Sequence, residues 1–270
     1  MKQFIRTSRY FYSTALIVFG LQQFYFGTFR DVLFPAWQSS LPLLPVWAYV
    51  FGIFLITAGM AIIFEKRAKE VFLILGGIFL VFFLLAQIPY ELFSQPNHIY
   101  HLGLWTNPLK ELAYAGGAFV IAGTYKNENL NLQNTNALFK ILEKLISFGS
   151  IFFCITMISF GIAHFMYADF VAKMVPVWFP DHPFWTYFAA VALIGSGICI
   201  VLNIRRKIMA FLLSLMIFLW FVMLHLPSAF ANPTIDRGNE LASAFDALLF
   251  SGTALAIAFG LKYQAGDKIF

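Results

Sequence analysis

The sequence has few charged residues, and this scarcity excludes most classes of soluble protein. Asp, Glu, Lys and Arg make up 11% of the 270 residues, whereas apolar residues make up 60%. An average soluble domain is roughly a quarter charged. The chain also contains 34 phenylalanines, which would be hard to house in one water-soluble core. The composition, with a mean hydropathy of +0.77, therefore predicts a membrane protein.

Cysteine is almost absent, and so are the short motifs of several enzyme classes. Only Cys154 and Cys199 are present, and they form no Cys-x-x-Cys motif. This argues against thiol–disulfide exchange with a quinone, and we expect two buried free thiols. His98 and His101 have a His-x-x-His spacing, but no cysteine or carboxylate beside them supports a metal site. The sequence also lacks a glycine-rich phosphate loop, a serine nucleophile motif and a haem-attachment motif.

Long apolar stretches predict eight transmembrane helices. About 20 mainly apolar residues are needed to cross the hydrocarbon core of a bilayer. Six suitable stretches contain no Asp, Glu, Lys or Arg: 10–29, 39–64, 71–90, 145–168, 183–203 and 208–227. Two more stretches contain charged residues: 107–125, with Lys110 and Glu111, and 241–261, with Asp246. We therefore expect an all-α membrane protein with eight spans.

The basic residues are distributed unequally between the predicted loops. If both termini are cytoplasmic, all but four of the 18 Lys and Arg residues lie on the cytoplasmic side. The four exceptions are Arg30, Lys110, Lys173 and Arg237. This distribution follows the positive-inside rule, so the net charge of +5 orients the chain and does not indicate a nucleic-acid partner. We expect a protein that is integral to a bacterial-type cytoplasmic membrane and surrounded by the lipid bilayer.

Each half of the chain contains the same residues at the same spacing. Six residues recur 141 positions later: Phe19, Gly20, Phe24, Phe29, Pro35 and Trp37 as Phe160, Gly161, Phe165, Phe170, Pro176 and Trp178. With an offset of 138 the match continues as far as Pro89 and Pro227. A repeat of this length indicates two copies of one structural unit. We expect repeats at 1–125 and 145–270, joined by a polar cytoplasmic linker at 126–144 that includes a short interfacial helix.

The number of spans in each repeat predicts how the two repeats are related. Four spans per repeat mean that both repeats enter the membrane from the same side. Such units are related by rotation about the membrane normal, as in transporters built from parallel repeats. The predicted architecture is therefore two tandem four-helix bundles with a pseudo-twofold axis along the membrane normal.

One segment of the second half resembles a known family signature. Residues 160–180 read FGIAHFMYADFVAKMVPVWFP, which is similar to the signature of the DoxX-like membrane proteins, whose unit is a four-helix bundle. Segments 112–117 and 225–227 are also similar to members of that family. The first half departs from the signature, because Gln23 stands at the position of His164. Named members accompany thiosulfate:quinone oxidoreductase and other membrane redox systems, so the resemblance implies quinone as a ligand and a membrane redox protein as a partner.

The candidate ligand site contains His164 and His225, near the outer ends of the fifth and seventh predicted spans. The corresponding residues of the first half are Gln23 and Gln87, so both repeats keep polar side chains at one depth. Asp246 in the eighth span adds a carboxylate at a similar depth. Ionisable groups inside a membrane are candidates for function. We predict that the pocket with the two histidines is the active one, because imidazole titrates near neutral pH and also binds metals.

The residue types leave several uses of this pocket open. Two imidazoles and a carboxylate from three helices suit a divalent metal, which makes His164 and His225 weak candidates for metal ligands. The same groups suit a hydrogen bond to a quinone carbonyl, or a proton relay. The structural alternative is that each imidazole caps a helix end or bonds a neighbouring helix.

Lys110 and Asp246 align with each other at an offset of 136 between the repeats. An ion pair would form across the pseudo-twofold axis if the two helices that carry them touch. We favour a second arrangement, in which Lys110 extends its ammonium group to the membrane interface and Asp246 bonds within its own repeat.

Three functional classes agree with the sequence. The preferred class is a protein associated with membrane redox or quinone chemistry through an outer-side polar pocket. The alternative is a non-enzymatic accessory or assembly subunit of a membrane complex. A small-molecule transporter is third, because polar residues are scarce near the middle of the membrane, where alternating access requires a binding site.

Overall fold

A computed structural model describes residues 1–94, 96–125 and 137–260, and this part of the chain is helical with no β-strand. The first half contains five α-helices: α1 (Lys2–Phe26), α2 (Leu44–Ile63), α3 (Ala68–Phe82), α4 (Ile88–Ser94) and α5 (Thr106–Ala122). The second half contains seven: α6 (Ala137–Leu145), α7 (Gly149–Met166), α8 (Ala168–Ala172), α9 (His182–Val201), α10 (Arg206–Trp220), α11 (Leu226–Ala231) and α12 (Asn239–Gly260). Of the predicted linker, residues 126–136 lie outside the described residues, and the interfacial helix predicted after them is α6.

Six helical segments are long and apolar enough to cross a membrane, so the chain is an integral membrane protein in contact with lipid. They are Leu44–Ile63, Ala68–Ser94, Ala137–Met166, His182–Val201, Arg206–Ala231 and Ile235–Gly260. Helices α1 and α5 are not among them. Helix α1 contains Lys2, Arg6 and Arg9 in its first turns and two adjacent glutamines, Gln22 and Gln23, one turn before its end. Helix α5 has only 17 residues, including Lys110 and Glu111. The prediction of membrane-spanning helices is thus confirmed for six of the eight expected spans.

The two ends of the molecule can be distinguished by contacts between distant parts of the chain. The ring of Phe4, near the start of α1, stacks on that of Phe259, near the end of α12, with 4.5 Å between centroids. Arg9 donates to Thr124 Oγ1 after α5 and pairs with Glu65 after α2. We call this end the near side and the opposite end the far side.

In the described part of the chain, each half contains one π-helical turn within a long helical segment. Phe83–Gln87 joins α3 to α4, and Phe221–His225 joins α10 to α11. A proline follows two residues after each turn, at Pro89 and Pro227. In an α-helix the proline ring would clash with the carbonyl group four residues earlier, and the wider π turn relieves that clash. The two polar residues singled out by the repeat, Gln87 and His225, are the last residues of these turns.

Helices α5 and α12 form the centre of the protein. In the segment Ile235–Gly260 83% of the most apolar window is buried, compared with 22–39% in the other five segments. Every residue of α5 from Glu111 to Ala122 is buried. The two helices approach closely because their facing residues are small. A Cβ added to Gly117 of α5 would lie 2.3 Å from Thr253 Oγ1 of α12, so the contact requires glycine.

The two halves are interleaved. Helix α1 packs against α2 of its own half and against α12 of the other half. Helix α7 in the same way packs against α9 and against α5. Helix α3 packs on α5, and α10 packs on α12. The first helix of each half therefore contacts the last helix of the other, which brings residues of both halves together around α5 and α12.

Candidate functional site

A polar cluster joins the two halves around the central helices. Lys110 Nζ lies 2.8 Å from Asp246 Oδ2, an ion pair whose geometry is not that of an aligned hydrogen bond. The hydroxyl group of Tyr114 donates to Asp246 Oδ1. Tyr12 of α1 in turn donates to the carbonyl oxygen of Tyr114 at 2.7 Å. These contacts lie almost entirely inside the protein, since the side chain of Asp246 is 4% exposed.

This geometry corrects the expected positions of Lys110 and Asp246. Lys110 does not extend to the interface, and Asp246 bonds to residues of the other repeat, not its own. The reason is the direct packing of α5 on α12, which places positions 110 and 246 opposite each other. A buried charge without a counter-ion is costly, so the two side chains pair when the helices meet.

His164 lies in the second half, beside the π turn that ends at His225. His164 Nδ1 is 2.7 Å from the carbonyl oxygen of Phe160, one turn earlier in α7. This contact assigns the proton to Nδ1 and leaves Nε2 as an acceptor. The ring also stacks on Trp220, with planes 15° apart and centroids 6.4 Å apart. Trp220 directly precedes the π turn that ends at His225, so His164 packs against the start of that turn.

His225 lies next to the ion pair of the central helices. The described residues form no hydrogen bond to its ring, and Lys110 is within electrostatic range of it. Asp246, predicted as a third member of the histidine pocket, is bound by Lys110 and Tyr114. Within the described part of the chain no three His, Cys, Asp or Glu side chains are grouped to hold a metal. The metal alternative therefore has no support in this geometry.

The first half has a corresponding polar pocket, which contains a residue that sequence reasoning missed. Gln87 Nε2 donates to the carbonyl oxygens of Asp31 at 2.9 Å and Val32 at 3.3 Å. Glu111 is fully buried, and no described residue forms a hydrogen bond of normal geometry with its carboxyl group, although the Gln87 amide approaches it. Gln23 is also fully buried, and both of its amide atoms lack partners among the described residues. The signal for Glu111 in the sequence was a carboxyl group within a predicted span, next to Lys110.

The two halves cover these pockets differently. We call residues 27–37 the first cap segment and the equivalent residues 168–178 the second cap segment. In the first cap segment Phe29 is 7% exposed and Leu33 is fully buried, whereas their counterparts Phe170 and Met174 are 67% and 47% exposed. The first cap segment is therefore packed more tightly against the protein than the second, in which Val175 is the buried residue.

The difference between the cap segments follows from the residues beneath them. Phe29 packs 5.9 Å from the ring of Phe51, and Trp37 packs 5.7 Å from that of Tyr90. The second half has Ala189 and Ser228 at the positions of Phe51 and Tyr90, so it lacks these aromatic partners. Gln87 also binds the backbone of the first cap segment, and His225 makes no such bond to the second.

Contacts between loops hold the first cap segment to the second half on the far side. Arg30 Nη1 donates to the carbonyl oxygen of Arg237 at 2.6 Å, and Arg237 pairs with Asp31. Gln22 Nε2 donates to the carbonyl oxygen of Gly238 at 2.9 Å. Burial lowers the pKa of the Arg30 guanidinium, and the negative charge of the nearby Asp31 partly offsets this lowering.

The remaining candidates have local roles. Both cysteines are free thiols, and the expected burial is confirmed for Cys154, whereas Cys199 is only half-buried. The ring of His101 packs 5.0 Å from that of Tyr167.

Comparison of the chain with protein-family models, curated proteins and solved structures gave no match.

Proposed function

We propose that the protein is a DoxX-like membrane protein with eight spans, whose two halves are related by a pseudo-twofold axis along the membrane normal. The reciprocal packing of α1 on α12 and of α7 on α5 supports this relation. The π turns at Phe83–Gln87 and Phe221–His225 support it too, because they lie at the same position in each repeat. In this arrangement α1 and α5 are the two spans beyond the six that length and composition identify.

In our proposal the second-half pocket binds the head group of a quinone at the far, outer side of the membrane. The observation that carries this proposal is the unequal covering of the two pockets. The first cap segment is bound to Gln87 and keeps Phe29 and Leu33 buried, whereas Phe170 and Met174 of the second cap segment are 67% and 47% exposed. A ligand that diffuses in the membrane can therefore reach the histidine pocket without first displacing a packed segment.

The side chains of this pocket suit a planar redox ring. Trp220 and His164 lie nearly parallel and offer an aromatic surface for the ring. His164 Nε2 is free to accept a hydrogen bond from a quinol hydroxyl, because Nδ1 is engaged by Phe160. A neutral imidazole nitrogen can also take up a proton transiently and pass it on. When a quinol is oxidised, its electrons pass to a membrane redox partner and its protons pass to the imidazoles, so that atoms and charge balance.

A binding titration tests this function. The purified protein in lipid nanodiscs is titrated with a short-chain quinone and with its quinol, and quenching of tryptophan fluorescence reports binding. We expect His164→Leu and His225→Leu to weaken binding about tenfold, the effect of one hydrogen bond lost from a buried site. His98→Gln, a change at an exposed loop histidine, should bind as the wild type does.

Two outcomes of the titration would contradict the proposal. Wild-type protein that binds neither redox form would leave the accessory-subunit alternative. Binding that survives both histidine changes would place the quinone elsewhere. Circular dichroism of each variant shows whether a loss of binding accompanies a loss of fold.

A further inference from the structure

The first half contains a buried site for which the proposed quinone function has no use. It consists of Glu111 on α5, Gln87 at the end of the π turn and Gln23 on α1. All three side chains are fully buried. Five of their polar atoms have no hydrogen-bond partner among the described residues: Gln23 Nε2 and Oε1, Gln87 Oε1, and Glu111 Oε1 and Oε2. Each such atom costs roughly 1–3 kcal/mol when nothing satisfies it, so a bound species is expected.

The packing of aromatic rings brings these residues to one depth. The rings of Phe19 and Phe79 both pack against that of Tyr114, at 5.8 Å and 5.6 Å between centroids. Gln23 follows Phe19 by one turn of α1, and Glu111 precedes Tyr114 by one turn of α5, so both lie farther toward the far side. The amide of Gln87 approaches the Glu111 carboxyl group from the π turn.

The unpartnered atoms define the chemistry of the missing species. Four of the five are oxygens, which accept hydrogen bonds or coordinate cations. The orientation of Gln87 is set by the two backbone carbonyls that its Nε2 binds, so its oxygen is the atom left over. The cluster also carries one carboxyl group without a paired cation, because the adjacent Lys110 is bound to Asp246. Four of the five unpartnered atoms therefore need a positive charge or a hydrogen-bond donor, and only Gln23 Nε2 needs an acceptor.

We propose that this site binds one monovalent alkali cation such as Na⁺. Carboxylate and amide oxygens are the ligands that hard cations prefer. A single carboxylate balances a single positive charge, so a divalent ion would remain under-neutralised. The closed first cap segment keeps the site away from bulk water, which strengthens the attraction between the carboxylate and the cation.

The second half supports the assignment by contrast. An offset of 136 aligns Glu111 with Ala247, and His164 and His225 replace the two glutamines. The second pocket thus has neither the carboxylate nor the amide oxygens. The cation site and the proposed quinone site are therefore different sites with different ligands, and each can fail independently of the other.

Thermal unfolding in detergent solution tests the cation site. The midpoint is measured as Na⁺ replaces choline at constant ionic strength, and again with K⁺. A ligand that binds the folded state alone raises the midpoint with the logarithm of its concentration. We expect this rise in the wild type with at least one of the two ions, and its loss in Glu111→Gln. Glu65→Gln, which changes an exposed carboxylate on the near side, should keep the full rise.

A second variant keeps the test decisive if Glu111→Gln does not fold. Gln87→Leu removes an amide oxygen and leaves the carboxylate, and we expect it to weaken the cation dependence. A wild-type midpoint that responds to neither Na⁺ nor K⁺ would overturn the proposal. So would a rise that persists in both variants, since the cation would then bind elsewhere. A protonated-carboxyl infrared band that Glu111→Gln removes, unchanged by either ion, would assign a proton to the site and would also overturn it.

Discussion

The ion pair between Lys110 and Asp246 provides the sharpest test of how the two halves are held together. The two side chains come from opposite halves of the chain, meet at 2.8 Å and are 15% and 4% exposed. Asp246→Leu leaves the ammonium group of Lys110 buried without a counter-ion and the hydroxyl group of Tyr114 without an acceptor. Lys110→Met leaves the carboxylate with Tyr114 alone.

The expected magnitudes follow from this burial. Removing one partner of a buried ion pair costs about 3–5 kcal/mol, whereas replacing both partners with apolar residues is often nearly neutral. The double variant Lys110→Met/Asp246→Leu still leaves the Tyr114 hydroxyl group without an acceptor, which should lower the free energy of unfolding by about 1–3 kcal/mol. Adding Tyr114→Phe removes that cost. This change also copies the second half, which has Phe250 at the equivalent position.

The free energy of unfolding, measured by titration with a denaturing detergent, checks this order. We expect Asp246→Leu to be the least stable variant, the double variant to recover part of the loss, and the triple variant to approach the wild type. The exchanged pair Lys110→Asp/Asp246→Lys should also be more stable than Asp246→Leu, because the charges still face each other. If the two single losses simply add in the double variant, the residues do not interact and the reasoning is refuted.

Two further predictions concern the packing of the central helices and the topology. Gly117→Ala should destabilise the protein by about 1–3 kcal/mol, because the new methyl group meets Thr253 Oγ1 at 2.3 Å. Thr253→Ala should restore the stability of this variant. Gly195→Ala is the control: its methyl group meets nothing within 4 Å, so its stability should be within about 0.5 kcal/mol of the wild type. An equal loss of stability in Gly117→Ala and Gly195→Ala would show that the close contact with Thr253 is not the cause of the loss. Reporters fused after Phe270 and within residues 94–98 should lie on opposite sides of the membrane, with the former in the cytoplasm. A C-terminal reporter outside the cytoplasm would reverse the proposed orientation.

Composition and local pattern were enough to predict the class of this protein and much of its helical structure. The length of an apolar stretch is a property of the chain alone, and the bilayer sets the length that is needed. The spans with few charges were therefore recognisable, as was the short helix at Ala137–Leu145. The prolines near the ends of the third span in each half also marked real features, because the restriction imposed by a proline ring is local.

The partners of the polar side chains depended on how the helices pack. The sequence favoured a Lys110 that reaches the interface, because nothing in a single span states which face of α5 meets α12. Small residues such as Gly117 allow these two helices to touch, and that contact brings Lys110 to Asp246. The packing of α5 on the first π turn in turn buries Glu111 beside Gln87. The covering of the pockets likewise depended on partners distant in sequence. Phe29 packs on the ring of Phe51, whereas the second half has Ala189 at the position of Phe51 and so offers Phe170 no such ring. The sequence and the bilayer determine which segments cross the membrane. Which side chains pair depends on how each helix is rotated and how deep it sits, and both are set only when all the helices pack together.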